Sequence, residues 1–550
     1  MPVLAVVLLL AAGPDSSRLV AHARNAQAEF ERARMFLLAT GSAGGQRCDA
    51  RIGRFCYSYS GGGGDLPRER AGIGPERAKL LAVLDTVARA LPGDAWVAGQ
   101  RVRYLIEAGQ PDSAAAAARS CRAAAWWCAA LEGLAWHAAG RFAAAEQAFQ
   151  TALDSMPDAE RCRWTDLSDL LEGALRARYR ALTCAERRAF DDRVWWLAKP
   201  LWSLPGNDRR TEHFARLTMT RLLAGARWAL GDWGDDAREL IVRYGWPLAW
   251  ERDDCGGMCQ AIPLGYLVEP SFHFIPDARA YDAGLPDDAA GALELQSAVE
   301  RYAPAYASRF ESLEADFAAF RRGDSTLVVA GWDVSRDTMF QDTGLVAAAV
   351  LARDERSPAA VVRRSGAQPE GALVVEAAGA PALASLELLA RGHRVAGRVR
   401  ARLEALTPFP GAATLSGILL FAPSDSLPAD LPAALARLHV GGVVAGTRIG
   451  VYWEVYGLAS GEEVPTAVTV APARRSLLTR VAAALGLAGK SGSVRLEWRE
   501  TVHPPQGTVS RALVLDLAGL VPGRYRVDVT VSPPGRPSVT SSRIVRVVRP

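Results

Sequence analysis

WWCAALEGLAWHAAGRFAAAEQAFQTALDSMP, residues 126–157, reads as two short helices folded back on one another. Gly133 and Trp136 sit on the first, Gly140 makes the turn, Phe142 and Ala145 open the second, and Ala152 and Pro157 close it. The small residues answer a steric need, since antiparallel helices approach closely only where Gly or Ala faces the partner. Residues 95–125 repeat the plan, with Gly109 in the place of Gly140, Ala114 in that of Ala145 and Cys121 in that of Ala152. Pro92 falls where a still earlier unit, with a helix over 76–90, should end. Two or three such units meet the minimum for a stacked core. Apolar residues at three- and four-residue spacing extend the helical pattern over residues 17–180.

The unit at 126–157 resembles a tetratricopeptide repeat. That resemblance implies a protein or peptide partner held along a concave face; the alternative is a packing scaffold for the downstream domain. Trp126 and Trp127 read as core, because at most one of two adjacent helical residues points to a given face.

Downstream, residues 190–253 carry FDDRVWWLAKPLWSLPGNDRRTEHFARL and then GDWGDDARELIVRYGWPLAWERD. Trp233, Asp236, Tyr244, Gly245 and Pro247 stand in the register of the GWxTD domain, an uncharacterised domain of bacterial envelope proteins, which this segment resembles. Trp195, Trp196, the Leu204-Pro205-Gly206 turn, Asn207, Glu212 and Arg216 fit the region before that signature. Asp232, Asp235, Ala237 and Arg238 depart from it, which makes this a divergent member. The resemblance implies a strand over 239–244. Asp232, Asp235 and Asp236 gather around Trp233, and paired carboxylates hold a cation or act as acid and base. Asp before a regular element more often caps backbone amides. Asp235 and Asp236, with Glu251, are the candidate catalytic carboxylates.

Eight cysteines, all before residue 260, fall into neighbours: Cys48 with Cys56, Cys121 with Cys128, Cys162 with Cys184, Cys255 with Cys259. An even, locally clustered set suits disulfides in an oxidising compartment. On one continuous helix Cys121 and Cys128 would stand about 10 Å apart along the axis, so bridging them requires a turn at 122–125. Cys255, Cys259 and His273 are the alternative, three zinc ligands at a spacing that matches no common pattern. Trp246, Trp250, Phe272 and Phe274 read as a small aromatic core around the 255–259 bridge. Residues 1–13, MPVLAVVLLLAAG, have the length of a secretory signal but no preceding Lys or Arg; a buried first helix is the alternative. The Gly-rich run 41–74 reads as a loop clipped by Cys48 and Cys56.

After a charged helix expected over 289–320, Val-rich runs take over. Strands are expected at 326–332, 345–352, 372–377, 385–390 and 394–401 and, past the Pro408-Phe409-Pro410 linker, at 415–421, 449–456, 467–471, 494–499, 512–517, 525–531 and 543–548. The last set makes one β-sandwich. Along 450–457, Tyr452, Glu454 and Tyr456 share one face and Trp453 and Val455 the other. One face is expected in the core and the other solvated, with glycan binding as the alternative.

The expected architecture is therefore multidomain α+β. A signal at 1–13 precedes helical repeats (17–180), a small mixed α/β GWxTD-like segment (181–322), a β-rich domain (323–407) and a β-sandwich (411–550). Of the 550 residues 49% are hydrophobic and 23% charged, and 64 basic against 60 acidic residues leave +4, too little to argue for nucleic acid. No other apolar run is long enough to span a bilayer. Nucleophile elbow, HExxH, Walker and Rossmann motifs are absent, and no cofactor is expected. The leading reading is a periplasmic or cell-surface interaction and scaffold protein. The alternatives are an envelope-polymer hydrolase and a carbohydrate-binding or structural module for cell-wall glycan.

Overall fold

The computed structural model describes residues 14–41, 48–59, 66–228, 231–253, 262–282, 285–286, 298–378, 381–404, 406, 412–473, 494–503 and 507–549. The expected signal at 1–13, the Gly61 to Gly64 run, Cys255 and Cys259 lie outside these residues. The chain divides into two compact units, residues 1–281 with 291–308 and residues 282–290 with 309–550.

In the first unit helices run α1 (Pro14–Leu37), α2 (Ile73–Ala90), α3 (Ala95–Glu107), α4 (Pro111–Ser120), α5 (Ala125–Ala138), α6 (Phe142–Ser155), α7 (Asp158–Trp164), α8 (Gly173–Arg180), α9 (Cys184–Ala198), α10 (Asp208–Ala224) and α11 (Asp235–Tyr244). The pairs α3–α4 and α5–α6 are the expected hairpins. Gly140 turns the second one at φ +69°, a conformation that other residues rarely adopt. A Cβ on Gly133 would stand 2.7 Å from the Phe149 ring, which is why the closest approach of α5 and α6 is made at glycine. Between α4 and α5 the chain leaves the helix at 121–124, and Cys121 and Cys128 are bonded with their Cα atoms 5.7 Å apart. Cys48–Cys56 and Cys162–Cys184 are bonded as well. Short strands complete this unit: β1 (Thr40–Gly41), the hairpin β2 (Ala50–Ile52) with β3 (Phe55–Tyr57), and β4 (Ala249–Asp253) with β5 (Ile262–Tyr266), β1 running parallel to β4.

The strand expected over 239–244 is instead the end of α11. Asp235 and Asp236 lie in its first turn and Arg243 in its last, each sign favourable to the helix dipole, and Gly245 ends it at φ +101°.

In the second unit one sandwich comprises β6 (Arg309–Ser312), β7 (Ala315–Arg322), β8 (Ser325–Asp333), β9 (Leu345–Ala352), β10 (Ala360–Ser365), β11 (Glu370–Ala378), β12 (Ala382–Ala390) and β13 (Val395–Leu403). Its sheets have the orders β10-β9-β12-β13-β6 and β11-β8-β7, and Trp332, Leu345, Leu351, Leu373 and Leu386 fill the space between them. The charged helix expected over 289–320 gives way to β6 and β7 where it is described. The expected boundary at 322/323 falls inside the β7–β8 hairpin, whose register pairs Arg322 with Ser325.

The second sandwich has β14 (Thr414–Leu415), β15 (Leu419–Phe421), α12 (Leu431–Leu435), β16 (Val443–Val444), β17 (Arg448–Tyr456), β18 (Glu462–Pro472), β19 (Val494–Val502), β20 (Thr508–Asp516), β21 (Gly523–Val531) and β22 (Val539–Val548). One sheet runs β14-β17-β15 with β20 on β17, the other β16-β22-β21-β18-β19. Trp453, Val455, Val468, Val527, Val529 and Val545 belong to its core. The other face of β17 is not solvated. Tyr452 joins Phe320, Val329, Leu419 and Phe421 in a second apolar cluster that ties the two sandwiches together. There Glu454, 2% exposed, accepts hydrogen bonds from Tyr452 (2.9 Å), Tyr456 (2.7 Å) and two nitrogens of Arg322 (2.6 and 2.9 Å). Both expectations for that face, solvated strand and glycan platform, are overturned by this packing.

Candidate functional site

A cleft of about 410 Å³ opens in the helical unit, lined from α7 by Glu160, Arg163 and Trp164, from the loop after α7 by Asp166, Ser168 and Asp169, from α10 by Leu217, Thr220 and Arg221, and from α11 by Arg238. Local rules build its walls. Asp158 and Glu160 occupy the first turn of α7, the favourable end of the helix dipole. Cys162–Cys184 fastens α7 to α9. Within the loop Asp166 Oδ1 accepts from the Ser168 amide (2.8 Å) and hydroxyl (2.5 Å), and the Tyr179 hydroxyl accepts from Leu167 N (3.1 Å) while donating to Thr165 O (2.9 Å).

The charges of the cleft are paired. Arg238 Nη1 reaches Asp169 Oδ2 at 2.8 Å, Arg221 Nη1 reaches Glu160 Oε1 at 3.4 Å, Arg163 also binds Glu160, and Arg187 holds Asp166 at 2.8 Å. Burial raises the pKa of Glu160 and of Asp166. The Arg163 bond at Glu160, and the Ser168 bonds with Arg187 at Asp166, outweigh it and hold both carboxyls below their ordinary values. The Ser168 hydroxyl donates to Asp166, whose carboxylate Arg187 also holds.

Helix α10 organises the unit. Asn207 caps it, its Oδ1 accepting from Arg210 N at 3.1 Å. The helix lies on the face shared by α3, α5 and α6. There Gln100 Nε2 donates to Leu222 O (2.8 Å), the two ring nitrogens of His137 meet Thr211 Oγ1 (3.0 Å) and Glu212 Oε2 (2.6 Å), and a Cβ on Gly99 would stand 2.5 Å from Leu222. Its buried side binds charges: Arg209 pairs with Glu300 at 2.5 Å, Arg216 with Glu212 at 2.7 Å, and Asp208 Oδ2 accepts from Tyr302 (3.0 Å) and Tyr306 (3.2 Å). Burial pushes Asp208 up. It also pushes the Glu300 carboxyl up, but Arg209 and His273 reverse this and hold it well below the carboxylate range. Burial, with Arg209 and Arg216 nearby, lowers His213 far below the ordinary imidazole value.

The sequence candidates are scattered across this frame. Asp236 clasps two elements: Oδ1 accepts from Ala237 N at 2.8 Å, and Oδ2 accepts from Arg54 N at 3.3 Å and pairs with Arg54 Nε at 3.3 Å. Asp235 is exposed, and neither lines the cleft. Glu251, on β4, accepts from the Tyr266 hydroxyl at 2.5 Å. His273 Nδ1 meets Glu300 Oε1 at 2.8 Å, which makes it part of the Arg209–Glu300 network; no group of His, Cys, Asp and Glu able to hold a metal occurs among the described residues.

Of the signature residues, Trp233 stands 5.4 Å from Trp228, Tyr244 stacks on Tyr57 at 4.0 Å, Gly245 ends α11 against the Arg216 guanidinium, and Pro247 packs on Gly265. Among the repeat residues, Trp136 donates to Glu132 at 3.2 Å under the guanidinium groups of Arg119 and Arg141, the Phe142 ring lies 5.4 Å from His137, Ala145 and Ala152 are buried, and Pro157 precedes α7. Trp127 is buried, as expected of core.

Sequence reasoning missed the cleft, the Arg209–Glu300 pair and Asp208. A signal existed for α10: Asn207 is followed by DRRTEHFARLTMT, polar residues on every side, yet apolar Phe214 and Leu217 are interleaved among them.

No family model and no curated protein matches the chain. Among solved structures it is similar to red sea bream transglutaminase at 11% identity and a TM-score of 0.15, over 58% of this chain and 44% of that one, so that the match spans less than half of the transglutaminase. It is also similar to the FN1–FN3 domains of chicken CNTN1 at 11% identity and a TM-score of 0.16, over 45% of this chain and 71% of that one.

Proposed function

We propose that this chain is an extracytoplasmic interaction and scaffold protein, periplasmic or at the cell surface, built from tetratricopeptide-like hairpins, a divergent GWxTD-like segment and two β-sandwiches. The observation that carries this reading is the placement of the carboxylates beside Trp233. Asp236 is committed to backbone amides and Arg54, and Asp235 stands outside the cleft instead of lining it. A hydrolase working through these two groups would need them together at an opening. Three disulfides agree with an oxidising compartment. In the described residues no helix is long and apolar enough to cross a membrane.

The hairpins act as scaffold in this proposal, because α10 of the same chain covers the face at which α3 and α5 would receive a partner. The test uses the full chain, immobilised against envelope extract and, in parallel, incubated with peptidoglycan fragments and glycan oligomers. The expected result is retention of a defined protein partner, unchanged by Asp235→Asn and Asp236→Asn, with no turnover. Turnover abolished by either substitution would replace the proposal with the hydrolase reading.

A further inference from the structure

We infer that the α7–α10–α11 cleft binds an acidic peptide segment, an inference that rests on the interaction reading and names the chemistry of its partner. The cleft's volume of about 410 Å³ falls in the range of small-ligand sites. Its charges are layered. The guanidinium-bearing side chains of Arg163, Arg221 and Arg238 are 72%, 49% and 42% exposed, while those of Glu160 and Asp169 beneath them are 17% and 21% exposed; the third carboxylate of the lining, Asp166, is 35% exposed and is held by Arg187. An incoming chain therefore meets the arginines first.

Each of the three arginines engages its carboxylate through one guanidinium nitrogen among the described residues. The rest of each planar fork keeps N–H donors for a second carboxylate, and this geometry matches a carboxylate better than an ammonium can. The acids below also hold the forks in place, so less side-chain freedom is lost on binding. Arg221 is further positioned over the Trp126 and Trp127 rings, 4.7 and 5.0 Å from their centroids.

Trp164 and Leu217, each 6% exposed, give the cleft a narrow apolar strip beside the charges, with Thr220 next to them. A peptide offers both parts at once, aliphatic stems for the strip and spaced carboxylates for the forks. A phosphodiester chain fits less well, because it offers no aliphatic stems for the strip, and the whole protein carries only +4.

The test is calorimetric titration of the full chain with hexaglutamate, with hexalysine, polyglucuronate and triphosphate as comparison probes. Hexaglutamate is expected to bind alone among them, to weaken as salt rises from ~50 to ~300 mM, and to weaken about tenfold or more in Arg221→Gln and Arg238→Gln, the size of one charge-assisted hydrogen bond. Arg163→Gln, at the most exposed position, serves if the others disturb the fold; circular dichroism reports that disturbance. Equal affinity in the triple variant, or equal binding of any comparison probe, overturns the cleft.

A peptide-display selection on the full chain separates the two failures. Enriched peptides indifferent to the arginine variants leave the interaction reading standing and remove this site. No enriched peptide on either protein removes both.

Discussion

The helical unit and the β unit secure their interiors by different chemistry. In the helical unit charged groups are buried and paired: Glu31 with Arg34 and Arg103, Arg209 with Glu300, Arg216 with Glu212. Three disulfides tie neighbouring helices and the β2–β3 hairpin, and every cysteine of the sequence precedes residue 260. In the β unit each sandwich closes mainly on Val, Leu, Ala and Trp side chains from facing sheets, and the buried charges among the described residues are fewer: Glu387, Arg398, Arg400 and Glu454, the last held by Arg322. Side-chain size explains the contrast. Helices such as α4, PDSAAAAARS, bury little apolar area per residue, so ionic and covalent pins supply what burial does not. Strands of Val and Leu facing a second sheet need fewer of them.

The sharpest way to break the contrast is Glu300→Ala. It strands the Arg209 guanidinium, 0% exposed, without its counter-charge, and should cost the helical unit about 3–5 kcal/mol in a urea unfolding curve. A cost under about 1 kcal/mol would mean the buried pair holds nothing.

Reduction should come next. Opening Cys162–Cys184, 22 residues apart, releases a loop worth roughly 3 kcal/mol in the chain-entropy account. Calorimetry with and without a thiol reductant should show the helical transition falling while the β transition stays where it was. Equal movement of both would erase the distinction.

The third effect depends on pH. Burial pushes Asp191, on α9, up to about 8, against about 4 for a carboxyl in the unfolded chain. The folded state then keeps a proton that the unfolded state has released, so the contribution of Asp191 to stability is full below about pH 4 and is lost as the pH rises towards about 8. Asp191→Asn removes that slope. The variant should gain on the parent by about 1.4 kcal/mol per pH unit, at most, between pH 5 and pH 8, read from melting curves; parallel curves would show that burial does not govern this carboxyl.

Much of the architecture was legible in local pattern. The Leu345–Ala352 run and the glycines at 109 and 140 each carry their structure in a few residues. Two segments misled for opposite reasons. Ala315–Arg322, ADFAAFRR, has helix-forming alanines, and only its pairing with β8 makes it a strand. Asp235–Tyr244 has Ile241 and Val242, which favour strands, but its acidic first turn and terminal Gly245 marked a helix. The cleft was illegible because Glu160, Arg221 and Arg238 are far apart in sequence, and each alone looks like a solvated charge. Likewise nothing along β17 signals that Glu454 meets Arg322.

Helix α10 also sets an order of events in time. The hairpins α3 to α6 are complete once residue 155 has been made, yet the helix that covers their shared face ends only at Ala224. Domains fold as units during synthesis, and α10 belongs to the same unit as the hairpins, so until it has been made Gly99, Trp127 and His137 lack the helix that covers them. A truncated chain ending before residue 208 would lack α10 altogether and keep that surface uncovered.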